Sequence, residues 1–375
     1  MNKAKQFINK SLTGRLDSGA YRRLTTENAL IDFCSNDYLG FARCADLSFK
    51  IEQELQQQGA VHNGSTGSRL ISGNYNYTDQ LEQQIAGFHN AGAALLFNSG
   101  YDANVGLLSC LPQRGDTIIT DELIHASVID GARLSHANRY TFKHNDLHSL
   151  EAKLKNAGGV IYVAIESVYS MDGDSPPVKD ILLLTEQYGA ALIVDEAHAL
   201  GLYPKGLVTH LGLDSRVFAR VFTFGKAMGC HGAVVVGDDM LREYLINFSR
   251  SFIYTTAAPI HQLAAVKMAY QQLGQSADAE KQLKNNITQF KQGYQSNLHY
   301  PLIKSDSAIQ CIVLKSNQKA KQVAQTLQQN GFDIRAILSP TVPAGSERIR
   351  VCIHAFNTPA QITVLTTLLN NLLNE

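Results

Sequence analysis

Residues 189–201 read GAALIVDEAHALG, and residues 219–226 read ARVFTFGK. In each, an apolar, β-rich run ends abruptly in polar chemistry: Asp195 and His198 in the first, Thr223 and Lys226 in the second. A short, continuous apolar run bounded in this way reads as a strand buried on both faces. The design recurs at AALLFNSG, GDTIITDE, GGVIYVAIES and GAVVVGDD. Helix-length segments such as SVIDGARLSHA and DILLLTEQYG separate most of these runs. Strands alternating with helices predict an α/β fold whose parallel sheet is covered on both sides. Ligands of such sheets bind at the carboxyl ends of the strands. Ser99, Asp121, His125, Glu166, Asp195, His198 and Lys226 are therefore predicted to converge on one rim.

On either side of this rhythm the texture changes. Residues 1–44 read as an amphipathic arm followed by an extended piece, IDFCSNDYLGF. Residues 45–275 hold the alternating pattern and form the expected large domain. Residues 276–375 combine short strands, AIQCIVLK and RIRVCIHAF, with helical KAKQVAQTLQQNG and ITVLTTLLNNLL, which predicts a smaller α+β domain.

Composition excludes several classes of function. Of the 375 residues, 45% are hydrophobic and 18% charged, so a large core can form and the chain is not disordered in type. Lys+Arg and Asp+Glu both number 33, and a neutral chain has no general pull on nucleic acid or acidic lipid. The six cysteines are scattered without a C-x-x-C pair, as in a protein kept reduced, and no disulfide or zinc site is expected. The opening MNKAKQFINKSLTGRLDSG lacks an apolar signal core, and no run is long enough to span a membrane. A cytoplasmic protein is expected.

The letters D-E-A-H at 195–198 also spell a helicase box. That reading needs an upstream phosphate loop, G-x-x-x-x-G-K-[ST]. The only G-K near a strand end is Gly225-Lys226, which lies downstream and is followed by Ala227. A metal reading fares no better, because Asp195 and His198 have no convincing third ligand and no H-E-x-x-H pattern. A carboxylate at one strand end and a lysine 31 residues later, near the end of the next, suit another chemistry. Pyridoxal 5'-phosphate (PLP) needs a lysine for its aldehyde and a carboxylate for its protonated ring nitrogen.

More motifs stand in one order with ordinary spacing: NDYLG, HNGSTGSRLISG, LLFNSGYDANVG, DELIHASVIDGARLS, HND, ESVYSMDGD, VDEAHALG, TFGKAMGCHGA, IYTTAAP and PTVPAGSERIRV. The series resembles the α-oxoamine synthases, PLP enzymes of the aspartate-aminotransferase fold, from about residue 30 to the C-terminus. The resemblance implies a mostly parallel seven-stranded sheet in the large domain. It also implies a decarboxylative condensation of an amino acid with an acyl thioester, carried by coenzyme A or a carrier protein. NDYLG and PTVPAG are most like the branch that joins L-alanine to a pimeloyl thioester.

The resemblance also distributes roles. Lys226 would hold the cofactor's aldehyde and move the α-proton. Asp195 would pair with the ring nitrogen, His198 would bond the ring's phenolic oxygen, and His125 would stack on the ring. Ser99, Gly100 and Tyr101, at a strand-to-helix junction, would receive the phosphate, where backbone N–H groups and the helix dipole favour an anion. Thr223 and Ser170 would add contacts. Thr256 would reach the cofactor of a neighbouring subunit, making a homodimer with a shared active site. Arg350 would clamp the amino-acid carboxylate, with Arg348 on the same face of the strand as the other choice. Asn36 and Thr341 match substrate-contacting positions, and Arg22 would meet the far carboxylate of the acyl chain.

Two departures from the family pattern stand out. Members carry a histidine where SGNYNYTDQLE has Thr78, which leaves open a sister synthase using glycine, serine or cysteate. Cys230 and His231 follow the lysine where relatives carry other residues, and His231 reads as packing. A non-catalytic scaffold subunit, the remaining alternative, would be expected to lack Lys226.

Overall fold

The computed structural model describes residues 2–26, 29–59 and 62–374. The chain divides into two compact units: Asn36–Ser170 with Asp174–Lys284, and Met1–Ser35 with Met171–Gly173 and Asn285–Glu375.

The larger unit is built on seven strands: β1 (Ala93–Phe97), β2 (Thr117–Asp121), β3 (Asn138–Phe142), β4 (Ile161–Glu166), β5 (Ala191–Asp195), β6 (Ala219–Thr223) and β7 (Ala233–Gly237). They lie in the order β1-β7-β6-β5-β4-β2-β3. Only β7 runs antiparallel to its neighbours, so the sheet is the mostly parallel seven-stranded one expected.

The apolar runs form strands because both of their faces are covered. Alternation sends Val163, Ile165, Leu192 and Val194 into one cluster with Ile119 and Ile181. It sends Tyr162, Ala164, Ile193 and Val221 into another with Leu95, Phe97 and Leu107. Each such aliphatic side chain contributes about 1.5–3 kcal/mol by leaving water, so burial on both faces favours the sheet. The outermost strand, β3, is exposed over Asn138–Thr141 and carries Arg139, which blunts an edge that could otherwise pair with another chain.

The smaller unit contains a three-stranded antiparallel sheet of β8 (Ile309–Val313), β9 (Arg335–Ile337) and β10 (Arg348–Cys352), in the order β9-β10-β8. Helices Asn317–Gln329 and Pro359–Asn374 fall on the predicted helical segments. The extended piece near residue 31 acquires a partner that the sequence did not disclose: Ile31–Asp32 pairs in parallel with Phe332–Asp333. Helix Lys3–Asp17 has no buried residue, and Phe7, Ile8, Leu12 and Leu16 are exposed on it. Among the described residues, no helix is long and apolar enough to cross a membrane, and all six cysteines are free thiols.

Candidate active site

The parallel register of β4 and β5 places Glu166 directly opposite Asp195. Both carboxyls are buried, yet their surroundings differ. Asp195 accepts from the Asn104 side-chain amide at 2.7 Å on one oxygen and from the Ala197 backbone N–H at 2.9 Å on the other. Glu166 accepts from the Ser170 N–H at 3.2 Å through Oε2, while its buried Oε1 has no partner. Burial, and then the neighbouring Asp195 charge, push the Glu166 pKa up to about 8. One carboxyl is thus held by a donor on each oxygen, while burial favours the protonated form of the other.

Lys226 lies three residues past the end of β6, in a turn. Its Nζ is 2.7 Å from His198 Nε2, and His198 Nδ1 is 2.7 Å from the Tyr38 hydroxyl. Tyr38 donates onward to Asn36 Oδ1 at 3.1 Å. His125 caps helix Ala126–Leu134, accepting from the Ser127 N–H at 3.2 Å. Burial lowers the His125 pKa and the Lys226 charge lowers it further, against the pull of Asp195. Ser99 caps helix Gly100–Cys110, accepting from the Asp102 N–H at 3.0 Å.

Gly100, Tyr101, His125, Asp195, Thr223 and Lys226 line one cavity of about 160 Å³, together with Asn104 and Glu166. A Cβ added at Gly100 would come within 3.3 Å of the Thr223 side chain, so glycine keeps the helix entrance open beside that hydroxyl. This donor set fits PLP. The phosphate would meet a helix N-terminus and a hydroxyl, the protonated ring nitrogen would meet a buried carboxylate, and the aldehyde would meet an amine. The orphaned Glu166 Oε1 supplies a further polar atom without a protein partner.

The remaining sequence-predicted residues lie elsewhere. His198 reaches the cavity through Lys226 rather than as a wall, and Ser170 through its bond to Glu166. Thr256 is exposed, its carbonyl accepts from Asn98 at 2.9 Å, and it does not line the cavity.

In the smaller unit, Arg22 donates to the Thr341 hydroxyl at 3.4 Å, which brings together two residues expected to touch substrate. Arg350 sits on β10 opposite Arg335 and Cys311. Arg348 is tied to the Asp172 carboxylate and to the carbonyls of Met171 at 3.2 Å and Ser346 at 2.8 Å.

Three residues of the site were missing from the sequence reading of roles. Tyr38 stands in NDYLG and Asn104 in LLFNSGYDANVG, both quoted as motifs without a task for these positions. Glu166 was placed on the rim, but its lack of a partner follows from register. Thr78 is buried with an unpartnered hydroxyl, beside a small cavity shared with Arg69, Asn98 and Thr255. Cys230 bonds the Met228 carbonyl at 3.1 Å, and burial pushes its thiol up to about 12. His231 is exposed, and its carbonyl accepts from Gln262 at 3.1 Å.

Comparison with known proteins shows the family. The family model for aminotransferase class I and II matches residues 28–369. A relative from Emericella nidulans named 8-amino-7-oxononanoate synthase is 41% identical, over 95% of this chain and 92% of its own length. A solved 8-amino-7-oxononanoate synthase from Francisella tularensis aligns with a TM-score of 0.76 and 29% identity, covering 92% of this chain and 98% of that one. A serine palmitoyltransferase from S. paucimobilis with bound PLP and myriocin aligns with a TM-score of 0.89 and 26% identity, covering 99% and 98%. The chain belongs to the class I and II aminotransferase family and, within it, to the α-oxoamine synthases, PLP-dependent acyltransferases.

Proposed function

We propose that the protein condenses L-alanine with a pimeloyl thioester to give 8-amino-7-oxononanoate, CO2 and a free thiol, the reaction named in its curated relatives. The observation that carries this reading is the meeting of Lys226, Asp195 and His125 around one cavity, with His198 at 2.7 Å from the Lys226 amine. When bound, PLP supplies an electron sink for the α-carbon of the amino acid.

The chain's own groups then have separate tasks. Gly100, Tyr101 and Thr223, with Ser99, would hold the phosphate end, and Thr256 would serve the site of a second subunit. Asp195, already oriented by Asn104 and Ala197, would hold the ring nitrogen. His198 would bond the ring's phenolic oxygen, Ser170 would add a contact to the cofactor, and His125 would cover the ring face. Lys226 takes the α-proton of alanine at Nζ and later returns a proton. Arg350 orients the alanine carboxylate with its planar guanidinium, Asn36 and Thr341 contact substrate, and Arg22 receives the distal carboxylate of the acyl chain. The new bond joins the alanine α-carbon to the thioester carbonyl carbon. The carbon–sulfur bond breaks, the thiol leaves, and the α-carboxyl departs as CO2. The reading includes a cytoplasmic homodimer, and it leaves coenzyme A and a carrier protein as alternative thiol carriers.

The sister reading, a synthase using glycine, serine or cysteate, is kept open by Thr78 and by the higher structural score of the serine palmitoyltransferase. The greater identity of the alanine-using relatives weighs against it. An absorption titration of PLP-loaded protein with L-alanine, glycine, L-serine and L-cysteate separates the two. Saturable change with alanine alone, followed by thiol release on adding pimeloyl thioester, is the expected result. Preference for another amino acid would overturn the substrate while leaving the family intact.

A further inference from the structure

Glu166 carries a polar atom that the chain leaves unanswered. The residue is 3% exposed and lines the Lys226 cavity. Its Oε2 accepts from the Ser170 N–H at 3.2 Å, whereas Oε1 is buried and, among the described residues, has no partner. An ionised Glu166 would leave buried negative charge on an oxygen with no donor, which is costly. Asp195, opposite it in the strand register, accepts from a donor on each of its own oxygens. Of the two neighbours, Asp195 is therefore equipped to carry a charge and Glu166 to carry a proton. The groups around Glu166 divide accordingly. Burial and the Asp195 charge favour its acid form, while Lys226 and the backbone N–H groups of Ser170 and His125 oppose them. Tyr169 faces it as well, and its hydroxyl is pushed the same way by burial and by the charges of Asp121 and Glu166.

The two oxygens of that acid are not alike. Oε2 accepts from Ser170, so the hydrogen belongs on Oε1, which becomes a donor in need of an acceptor. A ligand of the cavity has to bring the acceptor. PLP has three polar ends on its ring. Its phosphate is answered by the helix start at Gly100 and by Thr223. Its protonated ring nitrogen is itself a donor, which suits Asp195 and not a second donor. Its phenolic oxygen is an acceptor. When that oxygen is charged, an acid gives it a charge-assisted hydrogen bond where a carboxylate would repel it.

We propose that Glu166 is a cofactor contact that donates a hydrogen bond from Oε1 to the phenolic oxygen of the bound ring. The proposal rests on the reading of this cavity as the PLP site. It gives a task to a residue placed on the rim without one, and it assigns the two adjacent carboxyls opposite duties: Asp195 accepts from the ring and Glu166 donates to it.

Two measurements test the proposal, and the first needs no cofactor. The infrared difference between cofactor-free wild type and Glu166→Gln at neutral pH should show the carbonyl stretch of an un-ionised carboxyl, present in the wild type alone. Its absence overturns the donor, whatever the cavity binds. This arm uses only the glutamine variant, which keeps the shape and the bond from Ser170.

The second is equilibrium binding of PLP, and of its analogue lacking the phenolic oxygen, to wild type, Glu166→Gln and Glu166→Met. The glutamine amide can still donate, so Glu166→Gln should hold PLP as the wild type does. Glu166→Met should bind PLP about tenfold more weakly and should bind the analogue as well as the wild type does. An equal loss for both ligands would reduce Glu166 to packing, and no loss for either would remove it from the site; both overturn the proposal. If the wild type binds neither ligand, the cofactor reading itself fails and the proposal falls with it. Binding of both by the wild type, with equal losses in Glu166→Met, sinks the donor alone.

Discussion

Two clusters of titratable groups sit at strand ends of the same sheet, and they are built in opposite ways. Beyond β2 and β3, His144 is clamped between two carboxylates, Nδ1 to Asp121 at 2.9 Å and Nε2 to Asp174 at 2.8 Å. Asn145 donates to Asp174 at 2.7 Å, and Tyr169 packs edge-on to the imidazole with centroids 4.5 Å apart. Beyond β4, β5 and β6, Glu166, Asp195, His125 and Lys226 surround open space instead. Both clusters shift pKa values strongly. In the first, burial alone would lower the His144 pKa, but the bonds to Asp121 and Asp174 raise it to about 10. In the second, burial raises Glu166 and no partner answers its Oε1. A perturbed pKa therefore marks a functional site only when the perturbed group faces a cavity; with both nitrogens of the histidine matched, the same shift marks a structural clamp.

The sharpest way to break this contrast is at Lys226. Lys226→Ala should eliminate the imine absorption of PLP-loaded protein and lower kcat by roughly 10³–10⁴-fold through lost proton transfer alone, with little change in the melting temperature of the cofactor-free protein.

His144→Ala should do the reverse. It leaves Asp121 and Asp174 facing each other without a cation, at a cost of about 3 kcal/mol in a urea titration, and cofactor affinity should survive. The sign of its pH dependence follows from the raised pKa. The stability His144 contributes is fully present below its ordinary value of 6.5 and is lost as pH rises through about 10. The wild-type urea midpoint should fall over that window, and the variant should lack the fall. Lost cofactor binding in a folded His144→Ala protein would erase the contrast.

Glu166→Gln probes the open cluster more gently. The folded chain keeps a proton that the unfolded chain releases in the ordinary carboxylate range. The stability Glu166 contributes is therefore lost as pH climbs through about 8. The glutamine variant should flatten this part of the melting-temperature profile of the cofactor-free protein, and an unchanged profile would show that Glu166 ionises normally.

The smallest effect concerns Thr78, an orphaned hydroxyl beside a cavity other than the Lys226 site. Thr78→Val replaces it with a methyl of the same shape and should stabilise by about 1 kcal/mol, without changing kcat. A marked loss of activity would show that this second cavity takes part in the reaction.

What could be read in the sequence was set by local chemistry. Apolar runs such as IYVAIE and ALIVD announced buried parallel strands, and their polar ends announced the rim. Lys226, Asp195 and His125 were legible because each stands in a distinctive motif at a strand or helix end. Long-range matters were not legible. Tyr38 meets His198 across 160 positions, and nothing in NDYLG says which atom its hydroxyl will touch. Glu166 and Asp195 are adjacent because β4 and β5 pair in one register. The pairing of Arg348 with the Asp172 carboxylate is another long-range contact that alternation along the strand does not reveal.

The central claim is that the cavity at Lys226 is the PLP site. Borohydride reduction of PLP-loaded protein, followed by peptide mass spectrometry, tests it most directly. The account predicts one reduced pyridoxyl adduct, on the peptide carrying Lys226, in near-stoichiometric yield and absent from Lys226→Ala. An adduct on another lysine, or an unmodified Lys226 in protein that binds PLP tightly, would contradict it.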